Sequence, residues 1–265
     1  MPLANSWQFF GSMDIRIYLT GRVGLEFKSE LVIDERDFRG GQARLAFAYL
    51  VLKRERTVPR EELAAAVWPG EMPPAWETAL SALVSRTRKL LARTSLSPLV
   101  ATVRSSFGQH QLRLPSDTWV DVEAAAAAID AAEGALRAGT PKRAFGPATV
   151  AATIARRPFL SGANGGWVEA QRRTLQRQLQ RALECQANIW LSTGESHLAV
   201  EVANEAVTLD SCRETSYQLL MRAHSATGNR AEAVRVYHRL RELLADELGT
   251  DPSRETETLY LELLN

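Results

Sequence analysis

The sequence predicts a mainly α-helical protein with a small β component, in which a mixed domain is followed by an all-helical domain. Apolar and polar residues alternate up to about residue 35, after which the apolar residues follow a helical period. From Val122 onward the pattern is helical almost throughout, and part of it repeats every 34 residues. The 265 residues, 45% of them hydrophobic, suffice for two modest domains with buried cores.

The first domain, residues 14–115, is predicted to begin and end with strands. Alternating side chains over 14–35, punctuated by glycines, are typical of short strands joined by turns. A second pair of strands is predicted at Leu99–Val103 and Gln111–Leu114, joined by the segment RSSFGQH. The alternating apolar residues of the first strands are Ile15, Ile17, Leu19, Val23, Leu25 and Phe27.

Three helices are predicted between these strands. The first begins at Gln42 and stops before Pro59, where a short second helix begins because the fixed φ of proline suits a first helical turn. Prolines and a glycine after Trp68 break the second helix. The third helix runs from about Ala75 to Arg93. Its apolar residues, three and four apart, are Leu80, Leu83, Val84, Thr87, Leu90 and Leu91, of which all but Leu90 are expected to be buried.

The second domain, residues 116–265, is predicted to consist of helical hairpins. With an offset of 34 residues, Thr193-Gly194 aligns with Thr227-Gly228, and Ala199-Val200 aligns with Ala233-Val234. A small residue at a fixed distance after a helix-ending glycine, at this period, is typical of tetratricopeptide-like repeats. The same five-residue step from Gly139 to Ala144 indicates a degenerate earlier unit.

Positive charge is concentrated in the first domain. The whole chain carries a net charge of only +1, but residues 36–113 contain thirteen Lys and Arg against six Asp and Glu, and both flanks are acidic. A short basic block of this kind is expected of a small phosphate-binding domain that is joined to a non-binding one.

The exposed face of the third helix combines small hydroxyl side chains with cations. This chemistry suits the major groove of DNA, where Arg binds guanine edges and Ser or Thr contacts bases or phosphates. The alternative is that the cations only solvate the helix and interact with its C-terminal dipole. The residues in question are Thr78, Ser81, Ser85, Arg88 and Lys89, with Arg86 at the flank.

Further basic positions surround this helix. Arg104, Ser105, Ser106 and His110 lie around the predicted hairpin tip, where a wing would meet the neighbouring minor groove or backbone, although such residues are also ordinary in turns. We expect Arg44, Arg60 and Arg104 to contact phosphates, because they lie near helix starts and the hairpin.

These motifs resemble winged-helix activators of the antibiotic regulatory (SARP) family, related to OmpR-type response regulators. The third helix, with Val84-Ser85-Arg86-Thr87-Arg88-Lys89-Leu90-Leu91, resembles their recognition helix. Gly41–Ala46, Val58–Leu63 and Val67-Trp68-Pro69 resemble the two preceding helices, and Thr102-Val103-Arg104 with Gly108 resembles the wing. The remainder resembles the bacterial transcriptional activation domain through Trp119-Val120-Asp121, Trp167-Val168-Glu169 and Leu248-Gly249-Thr250-Asp251-Pro252.

Two departures from the family pattern concern the predicted DNA surface. Gln109 to Gln111 occupy positions where an aromatic residue often follows the wing glycine. Glu77, with Trp76, occupies the exposed start of the recognition helix, where polar residues commonly read bases. Glu77 could accept a hydrogen bond from cytosine N4 or repel phosphate, and both alternatives stay open.

The resemblance implies a sequence-specific transcriptional activator with three kinds of partner. These are double-stranded DNA with repeated operator half-sites, RNA polymerase and a second copy of the chain. In the response-regulator relatives the loop before the recognition helix meets RNA polymerase, which here assigns Glu71 and Met72, unless the loop of Pro69–Ala75 is only a rigid spacer. The alternative function is a helical-repeat adaptor that binds proteins and no operator.

No residue pattern predicts catalysis, a metal or a cofactor. His110, His197, His224 and His238 have no acid or nucleophile at catalytic spacing, and no GxSxG, HExxH or GxxxxGK[ST] string is present. Cys185 and Cys212 are expected to be reduced thiols. No apolar run approaches the roughly 20 residues that span a bilayer, and the start resembles no signal peptide. We therefore expect a cytoplasmic protein without a membrane partner.

Overall fold

The computed structural model describes residues 14–94 and 101–265, and these form two compact units. The first unit takes the chain up to Ala124 together with Arg157–Arg173, and the second takes Ala125–Arg156 and Thr174–Asn265. Two segments beyond residue 115, namely 116–124 and 157–173, therefore cluster with the first unit. The domain limits of 14–115 and 116–265 stay a prediction about the organisation of the chain.

The first unit contains all the described strands and three complete helices. The strands are β1 (Ile15–Tyr18), β2 (Gly24–Phe27), β3 (Glu30–Ile33), β4 (Val58–Pro59), β5 (Thr102–Ser106), β6 (Gln109–Arg113) and β7 (Trp119–Val120). The helices are α1 (Gly41–Leu52), α2 (Arg60–Val67) and α3 (Trp76–Ala92). The predicted order of sheet, three helices and hairpin is present in this unit.

The strands of the first unit form two small sheets. One has the strand order β3-β2-β1-β7, in which β7 pairs parallel to β1 and the other pairs are antiparallel. The other has the order β4-β6-β5 and is antiparallel throughout. The alternation of the first strands corresponds to burial, since Ile15, Ile17 and Leu25 are at most 1% exposed.

Three predicted boundaries in the first unit are wrong. Pro59 does not open α2, because its extended backbone places it in β4, where it pairs with Gln109 and precedes the helix as its N-cap. In the hairpin, β5 continues past Val103 to Ser106, and β6 begins at Gln109 instead of Gln111, because the ladder continues up to a two-residue turn. The predicted strand positions 99 and 100 lie outside the described residues.

The second unit is built from helices alone among its described residues. The remaining helices of the chain are α4 (Asp121–Arg137), α5 (Pro141–Ala155), α6 (Gly166–Thr193), α7 (Ser196–Leu209), α8 (Glu214–Ala226), α9 (Arg230–Leu248) and α10 (Arg254–Leu264). Gly194 and Gly228 both have positive φ at equivalent helix breaks, and Ala199 and Ala233 are both fully buried. The 34-residue repeat is thus a repeat of helical hairpins in which alanine lets neighbouring helices approach.

Both cysteines are free, and burial raises the pKa of Cys185 to about 11. Across 14–94 and 101–265, no helix combines the length and apolar character that crossing a membrane requires.

Candidate nucleic-acid interface

The inner face of α3 packs into the core of the first unit and fixes which side chains face outward. Leu80, Leu83, Val84 and Leu91 are at most 7% exposed. Thr87 is also buried, and its hydroxyl donates to the carbonyl oxygen of Leu83 at 3.1 Å, so this polar group is satisfied within the helix. The helical period therefore predicted the buried face correctly.

The outer face of α3 carries the side chains that were predicted from its period. Thr78, Ser81, Arg86 and Lys89 are exposed, and Ser85 is half-buried. Within the described part of the chain, neither Arg86 nor Lys89 forms an ion pair or a side-chain hydrogen bond. Two unpaired cations beside small hydroxyl groups leave this face available to a polyanion.

A β-hairpin lies beside α3, and we call β5, β6 and their turn the wing. The turn consists of Phe107 and Gly108, whose φ values are 48° and 71°. Positive φ at both central residues matches the right-handed twist of the strands, but a residue other than Gly, Asn or Asp is disfavoured there. The left-handed conformation of Phe107 costs roughly 1–2 kcal/mol.

Arg88 connects α3 to the wing. Its Nε donates to the carbonyl oxygen of Val103 at 2.9 Å, and its Nη2 donates to Ser105 Oγ at 3.0 Å. Ser105 Oγ in turn shares a hydrogen bond of 2.8 Å with His110 Nδ1. Burial, and next the charge of Arg88, lower the pKa of His110 below its ordinary value, which favours the neutral ring. Sequence spacing placed Arg88 and Ser105 on separate elements, and the structure brings them together.

Arg60 is held by two carboxylates at the start of α2 and α3. Its Nε lies 2.8 Å from Glu61 Oε1, and its Nη1 lies 3.2 Å from Glu77 Oε1. The guanidinium also lies 6.0 Å from the ring centre of Trp76. All three charged side chains are about half exposed. In the free protein Glu77 therefore neutralises an arginine, a pairing that sequence spacing did not reveal.

Arg44 is committed to partners within its unit. It forms an ion pair with Glu35, and its Nη2 donates to the carbonyl oxygen of Ser161 at 2.6 Å. Only 15% of its side chain is exposed. Arg104, by contrast, is exposed on β5 and has no ion pair among the residues that the structure describes. Of the three predicted phosphate contacts, Arg60 and Arg104 are exposed, and Arg44 is the least accessible.

A cleft of about 270 Å³ separates the start of α3 from the wing. It is lined by side chains of both elements, including Glu77, Ser81, Ser105 and Phe107, and by Arg60, with which Glu77 is paired. Hydroxyl and guanidinium groups on opposite walls are suitable donors for a phosphate that passes between the two elements.

The loop before α3 presents the two residues that were assigned to RNA polymerase. Glu71 and Met72 are exposed, and 43% of the Met72 surface is accessible. The base of the loop is packed tightly, because Pro69 lies close to the backbone of Gly165. A Cβ atom added to this glycine would lie only 3.0 Å from the Cβ of Pro69. The loop therefore has a fixed base and an accessible tip.

The segment 157–173 supports the helices behind this surface, a role that sequence reasoning missed. Trp167 Nε1 donates to the carbonyl oxygen of Ala66 in α2 at 2.9 Å, and the indole contacts the ring of Tyr49 edge-on. Arg172 holds the segment in place by donating to the carbonyl oxygens of Phe159, Leu160 and Ala163. The motif Trp167-Val168-Glu169 was the available signal.

Asp121 fastens the end of β1 to the start of α4. Its buried carboxylate accepts hydrogen bonds from the backbone N–H groups of Leu19 and Thr20 and from the Thr20 hydroxyl at 2.7–2.9 Å. Burial raises the pKa of Asp121 above its ordinary value, against the effect of these hydrogen bonds. This buried bond network and the pairing of β7 with β1 join residues 119–121 to the first sheet.

Fold and surface together define a winged helix followed by a domain of helical hairpins. The family described as "Bacterial transcriptional activator domain" matches residues 120–264. Because the match covers more than half of the chain, the protein belongs to this family. The resemblance to the antibiotic regulatory family and the predicted fold class are both confirmed.

Two curated relatives extend the similarity over most of the chain. Regulatory protein AfsR of Streptomyces coelicolor is 31% identical over 223 residues, which cover 84% of this chain and 22% of AfsR. Transcriptional regulatory protein EmbR of Mycobacterium tuberculosis is 27% identical over 223 residues, which cover 83% of this chain and 57% of EmbR. The chain thus spans about a fifth of one relative and just over half of the other.

A solved structure shares the fold. It is Mycobacterium tuberculosis EmbR in complex with a low-affinity phosphopeptide, which superposes with a TM-score of 0.82 at 22% sequence identity. The superposition covers 96% of this chain and 65% of the EmbR chain.

Proposed function

We propose that this protein is a sequence-specific DNA-binding regulator that activates transcription in the cytoplasm. The observation that carries the proposal is the outer face of α3, where the unpaired Arg86 and Lys89 lie among small hydroxyl side chains on a rigid helix. The major groove of DNA is wide enough to admit an α-helix, and small side chains permit close approach to base edges.

Each predicted contact takes a role from its surroundings. Arg86 reads a base, Lys89 and Arg104 bind phosphates, and the hydroxyls of α3 contact bases or phosphates. In the free protein Arg60 is paired with Glu61 and Glu77. When DNA binds, a phosphate replaces one of these carboxylates as the partner of Arg60. Arg44 would have to leave Glu35, so we expect the smallest contribution from it. The hydroxyl-bearing residues are Thr78, Ser81, Ser85 and Ser105.

Two further partners complete the proposal. The exposed Glu71 and Met72 contact RNA polymerase, and a second copy of the chain occupies an adjacent operator half-site. A single winged helix covers too few base pairs to be selective among the million or more competing sites of a genome. Pairing of two copies, off DNA or only on DNA, supplies the missing selectivity.

The test is the salt dependence of binding to operators that the full chain selects from random duplex DNA. We expect affinity to fall steeply with salt, because phosphate neutralisation releases counterions. Arg86→Ala should weaken operator binding by about 1–3 kcal/mol and relax the preference at one base pair, whereas Lys89→Ala should flatten the salt dependence.

Arg235→Ala is the matched control, because it removes the same charge from α9 at a side chain that is 74% exposed. The control should bind like the unchanged protein. Failure of the full chain to bind any duplex, together with salt-insensitive binding of a protein ligand, would overturn the proposal and favour the adaptor.

A further inference from the structure

Phe107 at the tip of the wing is completely exposed, with a relative accessibility of 102%. Its ring therefore buries no surface in the fold. Its φ of 48° lies in a region that phenylalanine rarely adopts. Neither packing nor turn preference accounts for an aromatic residue here, since Asn or Gly would satisfy the same turn without strain.

The support beneath Phe107 is rigid. The hairpin ladder runs without interruption from Thr102 paired with Arg113 to Ser106 paired with Gln109. The backbone N–H of Arg60 donates to the carbonyl oxygen of Gly108 at 2.9 Å, which fixes the turn to the start of α2. The ring is thus presented by an ordered backbone, and binding would require little additional ordering of that backbone.

The charges on the wing and on α3 favour a polyanion as the occupant of this tip. Arg104 lies on β5, and the unpaired Arg86 and Lys89 lie on the neighbouring α3. Glu61 and Glu77, which line the surface beside the tip, are paired with Arg60. In duplex DNA one sugar–phosphate strand separates a major groove from the adjacent minor groove. With α3 in the major groove, that strand can cross the cleft between α3 and the wing, where Arg60, Ser81 and Ser105 offer donors, and the tip then faces the minor groove.

We infer that Phe107 is an apolar wedge that enters the minor groove and partly unstacks one base step. This inference rests on the proposed DNA binding and adds a residue that reads the deformability of the operator. A phenyl ring forms no hydrogen bonds with base edges, so it discriminates through the ease of unstacking. Pyrimidine–purine steps, which kink most easily, are the preferred target.

The experiment compares the full chain with Phe107→Ala on the operator that the unchanged protein selects. Bending is measured by energy transfer between dyes on the duplex ends, and unstacking is measured by 2-aminopurine fluorescence at each step beside the half-site. Phe107→Ala should lose the bend, the fluorescence increase and the preference for a flexible step. Operator affinity should fall about 5- to 100-fold, as when a base loses an aromatic stacking partner, while the salt dependence is unchanged.

Two further variants separate the wedge from other effects. Phe107→Trp should bend the operator as the unchanged protein does, because it keeps a large aromatic ring at the tip. Leu248→Ala removes an apolar side chain that is 58% exposed, from the end of α9, and should change nothing. Bending and step preference that persist in Phe107→Ala would overturn the wedge and leave the proposed function standing. Absence of DNA binding by the unchanged protein would overturn both.

Discussion

Arg88 donates from its Nε to the carbonyl oxygen of Val103 at 2.9 Å, which joins α3 to the first strand of the wing. A second bond, from Nη2 to Ser105 Oγ, completes the connection. Two N–H groups of the guanidinium are therefore used inside the protein, on the edge that faces the wing. Arg88 thus sets the position of the wing relative to the helix.

This connection leads to a prediction about Arg88→Ala. The loss of operator affinity should be about 1–3 kcal/mol, the size expected when hydrogen bonds from a charged donor are removed. It should extend evenly over the base pairs that α3 reads, because Arg88 acts on them only through the position of the wing, which contacts backbone and groove shape. Binding to a panel of single-base-pair variants measures this distribution, with Arg86→Ala as the comparison. A loss confined to one base pair would show instead that Arg88 reads a base.

Phe107→Asn should stabilise the folded protein and abolish the bending of DNA. The change puts a residue that tolerates positive φ into the same turn, without removing any buried surface. We expect the free energy of unfolding to rise by about 1 kcal/mol, because Asn relieves part of the cost of the left-handed conformation, while DNA bending is lost. Chemical denaturation followed by circular dichroism measures the first effect, and a lower midpoint for Phe107→Asn would contradict the assignment of strain.

The sequence predicted α3 and its two faces because a helical period is a local property of consecutive residues. The outward positions of Arg86 and Lys89 follow from the buried positions between them. The contact of Arg88 with Val103 depends on how a hairpin packs beside the helix, which no local period encodes. The same holds for Glu77, whose partner Arg60 lies in a different helix.

The contact of Trp167 with α2 could not be predicted from local sequence patterns either. These elements are about a hundred positions apart in the chain, and the indole donates to a carbonyl group that carries no sequence signal of its own. Helical patterning after residue 122 suggested that the whole segment belongs with the hairpins. In the structure, the aromatic and carbonyl partners of Trp167 lie in the first unit, with which 157–173 clusters.

Trp167→Phe tests this support. The change keeps an aromatic ring near Tyr49 but removes the indole N–H, leaving the carbonyl oxygen of Ala66 without its donor. We expect a loss of about 1–3 kcal/mol from the local stability of the first unit. Amide hydrogen exchange in α2 should accelerate accordingly. Trp190→Phe, in the second unit, is the matched control and should leave exchange in α2 unchanged.

The loop tip gives a prediction about activation that is independent of DNA binding. Glu71 and Met72 are exposed, so replacing both by alanine removes no buried contact. Activated transcription in vitro should be abolished, while operator affinity stays the same. Glu55→Ala is a suitable control, because this glutamate is 87% exposed on the same unit and is not assigned to the polymerase. A parallel loss of both activities would mean that the loop is only structural.

The last prediction is that the helical hairpins determine how many copies of the chain bind an operator. The repeat helices bury alanines such as Ala203 and Ala233 in their own core, and exposed leucines remain on α10 at Leu261 and Leu264. Sedimentation of the full chain should therefore show two copies on a duplex with two half-sites and one copy on a duplex with one. A fragment of residues 14–115 lacks Asp121 and Trp167, which support the first unit.

The corresponding experiment keeps the whole chain and changes only the second unit. Leu261 and Leu264 are replaced together by Asp, which places two charges on an exposed apolar edge without removing a buried side chain. If this edge pairs two copies, occupancy of the two half-sites becomes non-cooperative while affinity for a single half-site is unchanged. Cooperativity that survives the double change would assign pairing to another surface, and the first unit would then be tested by the same measurement with Leu31→Asp.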